Sequence, residues 1–168
     1  DNATLTLLGA GRAGNYKLKM NRTDTIANLV IESPTGTART LEGTGLLTVT
    51  NAVTLQGTPA TVTVNGGVNA ILVTPKLVFT GGAGWTIQGT GVIECPVVTN
   101  AADATINSPL SGDVSKVGSG TLSMNNAGGS LSVDQGTVSL TDAIVPGTTI
   151  SVASGAILDL NYTGSRDV

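Results

Sequence analysis

The residues of this 168-residue chain that could do chemistry are few, and their types narrow what that chemistry is. There is no histidine, which removes the commonest general base, the Ser-His-Asp arrangement and most zinc or copper sites. Cys95 is alone, so neither an intrachain disulfide nor a thiolate cluster can form. Carboxylate chemistry is left: sugar hydrolysis needs two Asp or Glu facing each other roughly 5–10 Å apart. The eleven acids are scattered. If the chain winds into coils, Asp113 with Asp134 and Asp142 with Asp159 come nearest to stacking, since each pair is spaced close to one coil length. Stacked carboxylates repel unless protonated or bridged, and Ca²⁺ is the natural bridge. The Gly-Gly-x-Gly-x-Asp nonapeptide of calcium-binding solenoids is absent. These patterns specify no catalytic, cofactor-binding or metal-ligating residue and no cofactor, and the chain is expected not to be an enzyme.

Other short patterns have plainer readings. Gly9-Ala10-Gly11-Arg12-Ala13-Gly14 matches Gly-x-Gly-x-x-Gly, but a dinucleotide site needs a helix after it. The strand-like Tyr16-Lys17-Leu18-Lys19-Met20 follows instead, which makes the segment a glycine-rich corner. Trp85 is the one strong candidate for a sugar-stacking platform, yet Thr80–Trp85 carries no charge, and packing is the expected role. Asn2-Ala3-Thr4, Asn21-Arg22-Thr23 and Asn161-Tyr162-Thr163 fit the N-glycosylation pattern, a frequent coincidence in a Thr-rich chain. Residues 1–40 hold Arg12, Lys17, Lys19, Arg22 and Arg39 against Asp1, Asp24 and Glu32, on a chain of net charge −3. Such a start could touch anionic sugars or lipids, but dispersed cations without interleaved aromatics do not make a nucleic-acid surface.

The elements that must position these residues are strands. Only 2% of residues are aromatic and 11% charged, with 23 glycines, so the core is thin and aliphatic and the surface is built from Thr, Ser, Asn and Gly. Mean hydropathy is +0.26, too high for a disordered chain of this charge. Thr4–Leu7, Lys17–Met20, Thr61–Val64, Leu131–Val133, Val138–Leu140 and Ile150–Val152 alternate apolar with polar between Gly, Asn, Asp or Pro, the period-two pattern of half-buried strands. No apolar run approaches the ~20 residues that span a bilayer.

Internal echoes discriminate between a barrel, a sandwich and a coil. Leu41-Glu42-Gly43-Thr44-Gly45-Leu46-Leu47 returns as Ile87-Gln88-Gly89-Thr90-Gly91-Val92-Ile93, with Gly43 answered by Gly89. A coil of about 23 residues fits twice into that interval. Ser132–Val138 returns as Ser151–Ile157, at the shorter interval from Gly136 to Gly155. A drifting period is expected of a solenoid, whose corners absorb insertions. The fold class read from the sequence is all-β: a single-stranded parallel β-helix (β-solenoid) of about seven or eight coils, one domain over 1–168.

Lys116-Val117-Gly118-Ser119-Gly120-Thr121-Leu122-Ser123-Met124 resembles the Lys-x-Gly-x-Gly-Thr-Leu-x-Leu core of the autotransporter-associated β-strand repeat. Gly136–Leu140 and Ser154–Leu160 look like the strand-ending segments that follow that core, so the clearest match covers about 110–162. Where the family carries an Asn-Thr-Tyr-Thr-Gly-Gly-Thr-like turn, this chain has Asn125–Ser130 without the Tyr. Thr25–Ile31 also looks like a coil of passenger-type proteins. The resemblance implies a right-handed β-helix, secreted or held on the bacterial cell surface, and does not imply catalysis.

The functional expectation is therefore an extracellular structural or adhesive scaffold, pairing with other copies of itself or with adjacent coils through the solenoid ends and assembling head to tail into a filament. One alternative is an internal segment of a long autotransporter-like adhesin, since Asp159–Ser165 resembles the start of another coil. The other is a carbohydrate-binding or carbohydrate-active β-helix, because fold alone does not decide function. Surface glycans are a candidate partner; nucleic acid and membrane insertion by this segment are not expected.

Overall fold

The computed structural model describes residues 3–8, 16–66 and 70–161. Every regular element among them is a β-strand, and the strands assemble into one sheet of eleven and one of eight. All pairings are parallel and join one coil to the next. The protein is a parallel β-solenoid, as the alternating stretches and echoes predict.

The larger sheet contains β1 (Thr4–Leu8), β3 (Asp24–Ser33), β5 (Leu47–Gly57), β7 (Ala70–Val73), β8 (Leu77–Phe79), β10 (Val92–Glu94), β11 (Val97–Asn100), β13 (Leu110–Ser111), β14 (Val114–Val117), β16 (Leu131–Val133) and β18 (Ile150–Val152). The smaller contains β2 (Tyr16–Met20), β4 (Arg39–Gly43), β6 (Thr61–Asn65), β9 (Trp85–Gln88), β12 (Ala104–Ile106), β15 (Thr121–Met124), β17 (Thr137–Leu140) and β19 (Ile157–Leu160). Its eight strands, one per level, agree with the expected seven or eight coils.

The larger sheet is bent. Pairing of β3 with β5 slips between Ile26 and Asn28, an irregularity that turns a strand. In the next two coils the bend becomes a break at Thr74-Pro75-Lys76 and at Cys95-Pro96, where proline has no N–H for the ladder. Both legs pair back onto β5. Beyond β14 the first leg is gone, and Asn125–Ser130 and Thr141–Thr149 take its place.

Coil length follows that change, and hydrogen bonds between coils measure it. The partners Thr4 and Asn28 are separated by 24 positions, Glu32 and Gln56 by 24, and Leu55 and Thr80 by 25. Farther along, Asn107 and Asn125 are separated by 18, and Asn125 and Thr141 by 16. The inward column Tyr16, Arg39, Val62, Ile87, Ile106, Met124, Leu140 and Leu160 follows, with its longest interval from Val62 to Ile87 and its shortest from Met124 to Leu140, before lengthening again to Leu160. The expected drift is therefore a narrowing from three faces to two.

The core consists of such columns. Leu29, Val53, Leu77, Val98, Lys116 and Val133 stack in the larger sheet. Each aliphatic member is at most 2% exposed, and full burial of such a side chain contributes roughly 1.5–3 kcal/mol. Trp85, 1% exposed, has Ala104 as its partner in the next level, and Ala60 lies beneath it beside the Thr61–Thr86 pair. Large over small keeps the layer spacing.

Two register expectations need correction. Leu41 and Ile87 do not share a column: Leu41 lies beneath Val64, while Ile87 stands on Val62 above Arg39, so the two-coil register runs from Arg39 to Ile87. The echo tracked the corner instead of the strand. A Cβ on Gly43 would sit 2.0 Å from Met20 O, and one on Gly89 would sit 2.2 Å from Val64 O, so both corners demand glycine. The shorter echo holds for Ser132 with Ser151 and Val133 with Val152. Past the corner it slips by one position, because Val138 pairs with Leu158 and leaves Ile157 facing outward, 57% exposed.

Candidate functional site

Among the described residues, two cations lie inside the solenoid. Period two puts Arg39 and Leu41 of β4, and Val114 and Lys116 of β14, on the inward face, and both Arg39 and Lys116 have no solvent exposure. An unpaired buried charge is expensive, so each must find acceptors. Arg39 finds backbone: Nη1 donates to Thr37 O at 2.5 Å and to Ala38 O at 3.0 Å, Nη2 donates to Glu32 O at 2.9 Å, and the guanidinium lies 5.0 Å from the Tyr16 ring centroid. Burial lowers the Arg39 pKa, with Tyr16 opposing.

Lys116 is enclosed more tightly. Its stem lies between Val98 and Val133, and its Nζ donates to Gly118 O, to Gly120 O at 2.5 Å and to Gln135 O at 2.9 Å. Gly118 and Gly120 form the corner between β14 and β15, while Gln135 belongs to the corner one level on. Burial lowers the Lys116 pKa, opposed by the Asp103 carboxylate. The sequence motif thus converges in space. Its lysine was legible as motif but not as buried; the available signal was a lysine on the inward phase of an alternating strand, just before Gly-x-Gly.

The same device recurs with neutral groups. Asn100, fully buried, donates from Nδ2 to Ala102 O at 2.9 Å and Thr121 O at 3.0 Å. At the bend Thr74 Oγ1 donates to Lys76 O at 3.0 Å and Cys95 Sγ to Val97 O at 3.1 Å. Corners free carbonyls from the ladder, and inward polar side chains satisfy them. Burial of Cys95 pushes its thiol pKa up to about 11, which makes it a packing residue and a poor nucleophile.

The acids do not pair as their spacing suggested. Asp113 Oδ1 accepts Ser130 N–H at 2.8 Å, and Asp103 Oδ1 accepts Thr121 N–H at 2.9 Å, so each ties the next coil's backbone. Asp134 instead accepts the hydroxyls of Ser115 and Ser132, both at 2.6 Å, bonds that lower its pKa. Ser139 donates to Asp159 at 3.3 Å, while the backbone N–H of Asp142 goes to Asn125 O. The expected pairs miss because coil length is not constant: Asp113 and its partner Ser130 are separated by 17 positions, Asp159 and its partner Ser139 by 20. Among the described residues no three of His, Cys, Asp and Glu gather as a metal site.

The remaining candidates separate. Trp85 is a core residue and offers no platform to a sugar. The basic start is dispersed: Lys17 pairs with Glu42 at 3.2 Å, Arg22 with Asp24 at 3.2 Å, and Arg39 is inside. Asn21 is exposed after β2. The Gly9–Gly14 corner, Asn2, and Tyr162 onward lie outside the described residues. On the outside, the bend of the larger sheet makes a groove of about 350 Å³ edged by Thr48, Thr50, Glu94 and Pro96. Pro96 also edges a second hollow of about 180 Å³ beside Ser115, Ser132 and Ser151. No helix among the described residues is long and apolar enough to cross a membrane. No protein-family model matches the chain, and neither a curated protein nor a solved structure matches it.

Proposed function

We propose that this chain is a structural or adhesive scaffold, displayed outside a bacterial cell, whose product is a rod of stacked coils that extends by adding further coils of the same kind. The observation that carries this reading is the unbroken inward column from Tyr16 to Leu160. Eight levels at about 4.8 Å give a rod of roughly 35–40 Å. At its last described level β18 and β19 each have a strand on one side, the inward Val152 is 44% exposed, and the inward Leu158 and Leu160 are only partly buried. At the first level the inward Leu5 and Leu7 are likewise only partly buried. An open edge with apolar side chains is a template for another strand, and a second copy joined head to tail supplies one in the same direction. The hydroxyl-rich exterior and the Lys116–Met124 resemblance to autotransporter-associated repeats support the extracellular setting.

Electron microscopy with sedimentation over a concentration series tests the assembly. Rods several times the single-copy length are expected, shortened by Val152→Glu. Dispersed single-copy rods at every concentration would overturn head-to-tail assembly and favour neighbouring coils of a longer passenger as the natural partner of those edges.

Carbohydrate binding is a second reading, favoured by the outer groove at the bend with its threonine hydroxyls and Glu94. Binding on a glycan array that Glu94→Ala and Thr48→Val abolish would support it; an array with no signal removes it.

A further inference from the structure

Lys116, Gly118, Gly120, Gln135 and Gly136 come from two successive coils and meet at one point. Three carbonyl oxygens, from Gly118, Gly120 and Gln135, converge on the Lys116 Nζ. Gly136 closes the space from above: a Cβ there would sit 2.5 Å from Gly118 O, 2.6 Å from Nζ and 2.7 Å from Gly120 O, on a backbone with φ +68°. Glycine is thus required both by the conformation and by the occupant. Three acceptors aimed at one point repel one another unless a donor stands between them. A protonated amine offers three N–H groups, whereas a neutral amine offers two and a lone pair. The planar guanidinium fork is wider than an ammonium and spreads its donors in one plane.

We propose that this corner is an interior binding site for a primary ammonium group, that Lys116 is its tethered occupant, and that the occupied site latches one coil to the next. The contact to Gln135 O makes it a latch, because the other two carbonyls belong to the lysine's own coil. The ligand class is set by the three convergent carbonyls and the absence of room above them: a small monovalent cation bearing N–H donors. Arg39, which spreads its donors over Glu32, Thr37 and Ala38 beside an aromatic ring, is a different arrangement for a different cation.

Chemical rescue tests the site. Lys116→Ala deletes Cγ through Nζ, the shape of n-propylammonium. The melting temperature of Lys116→Ala should rise saturably with n-propylammonium chloride and not with n-propanol or tetramethylammonium chloride at matched ionic strength, while the wild type stays flat. No rise, or an equal rise with all three additives, overturns the proposal. Lys116→Met keeps the stem and loses the donors; its Tm should fall by roughly 5–10 °C. Apolar replacement of a buried charge is often neutral, so a Tm equal to or above that of the wild type overturns the need for a cation. If neither variant folds, acylation of the wild-type protein by an amine-reactive ester decides. Exposed Lys19 and Lys76 should be modified at least about 100-fold faster than Lys116, whose reaction waits on opening of the coil. A Lys116 rate equal to theirs overturns the closed site.

Discussion

The wide coils of the first half and the narrow coils of the second solve the same packing problem differently. From Tyr16 to Ile87 the turns are long, with hydrogen-bonded partners on adjacent coils 24 or 25 positions apart. Their bent two-legged sheet encloses enough space for Trp85 and the Arg39 guanidinium. From Ile106 to Leu140 the turns are short, with such partners 16 to 19 positions apart. One leg shrinks there to the two residues of β13 and is gone beyond β14, and the interior is filled by Leu122, Met124, Val133 and Val138. In the wide coil every corner carbonyl that Arg39 meets is only partly buried, whereas the narrow coil buries one of the three that Lys116 meets, that of Gly120, which shares itself between the ammonium and Thr137 N–H. Width, then, sets how much of the corner's hydrogen bonding water can replace.

Side-chain removal from the two interiors should show the largest contrast. Trp85→Ala, flanked by Ala60 and Ala104, leaves a hole its neighbours cannot fill and should cost about 3–5 kcal/mol. Leu122→Ala in the narrow part should fall at the lower end of the roughly 2–5 kcal/mol range for such truncations. Urea unfolding of both variants checks the order, and a greater loss for Leu122→Ala would break the comparison. The cations should differ next. Arg39→Met is expected to cost about 1 kcal/mol, less than Lys116→Met, since water can reach the partly buried carbonyls that Arg39 leaves. Equal losses would mean that coil width is irrelevant to the corner.

Smaller effects sharpen the picture at single groups. Cys95 should resist thiol reagents until the protein unfolds, measured as a labelling rate that follows the unfolding rate. Its folded pKa is raised from 9.0 to about 11, so the stability carried by the protonated thiol is complete below the lower value and is lost as pH rises through the higher one. Cys95→Thr, which supplies a hydroxyl as Thr74 does one coil earlier, should remove that alkaline loss. The smallest change belongs to Asp134 on the exposed serine ladder. Its pKa is lowered by Ser115 and Ser132, so its contribution is present above the ordinary aspartate range and is lost as pH falls through the lowered value. Asp134→Asn should flatten the acid limb of the stability profile slightly and leave neutral pH almost unchanged.

The strands were legible because a solenoid wall has one wet and one dry face, and Thr61–Val64 or Leu131–Val133 alternate accordingly. Corners were legible through glycine, which is why Gly43 and Gly89 dominated the echo. Register was less so. A slip of two positions keeps every side chain on its face, so the echo of Leu41 in Ile87 could not reveal that the backbone sets Ile87 above Arg39. The one-position slip beyond Gly136 turns Ile157 outward, and only the stacking of Leu158 on Val138 decides it. The candidate acids failed for the same reason: stacking pairs depend on coil length to the residue, and coil length changes along this chain.

By itself the sequence determined the architecture, since period-two patterning, β-branched residues and glycine corners are local properties that any long-range arrangement must respect. It also determined that Lys116, Gly118 and Gly120 belong together, as spacing in a motif. Only the tertiary structure decided what they do. Three carbonyls, two from the lysine's own corner and one from the corner of the following coil, converge on its ammonium, and that convergence exists only once one coil has been laid on another.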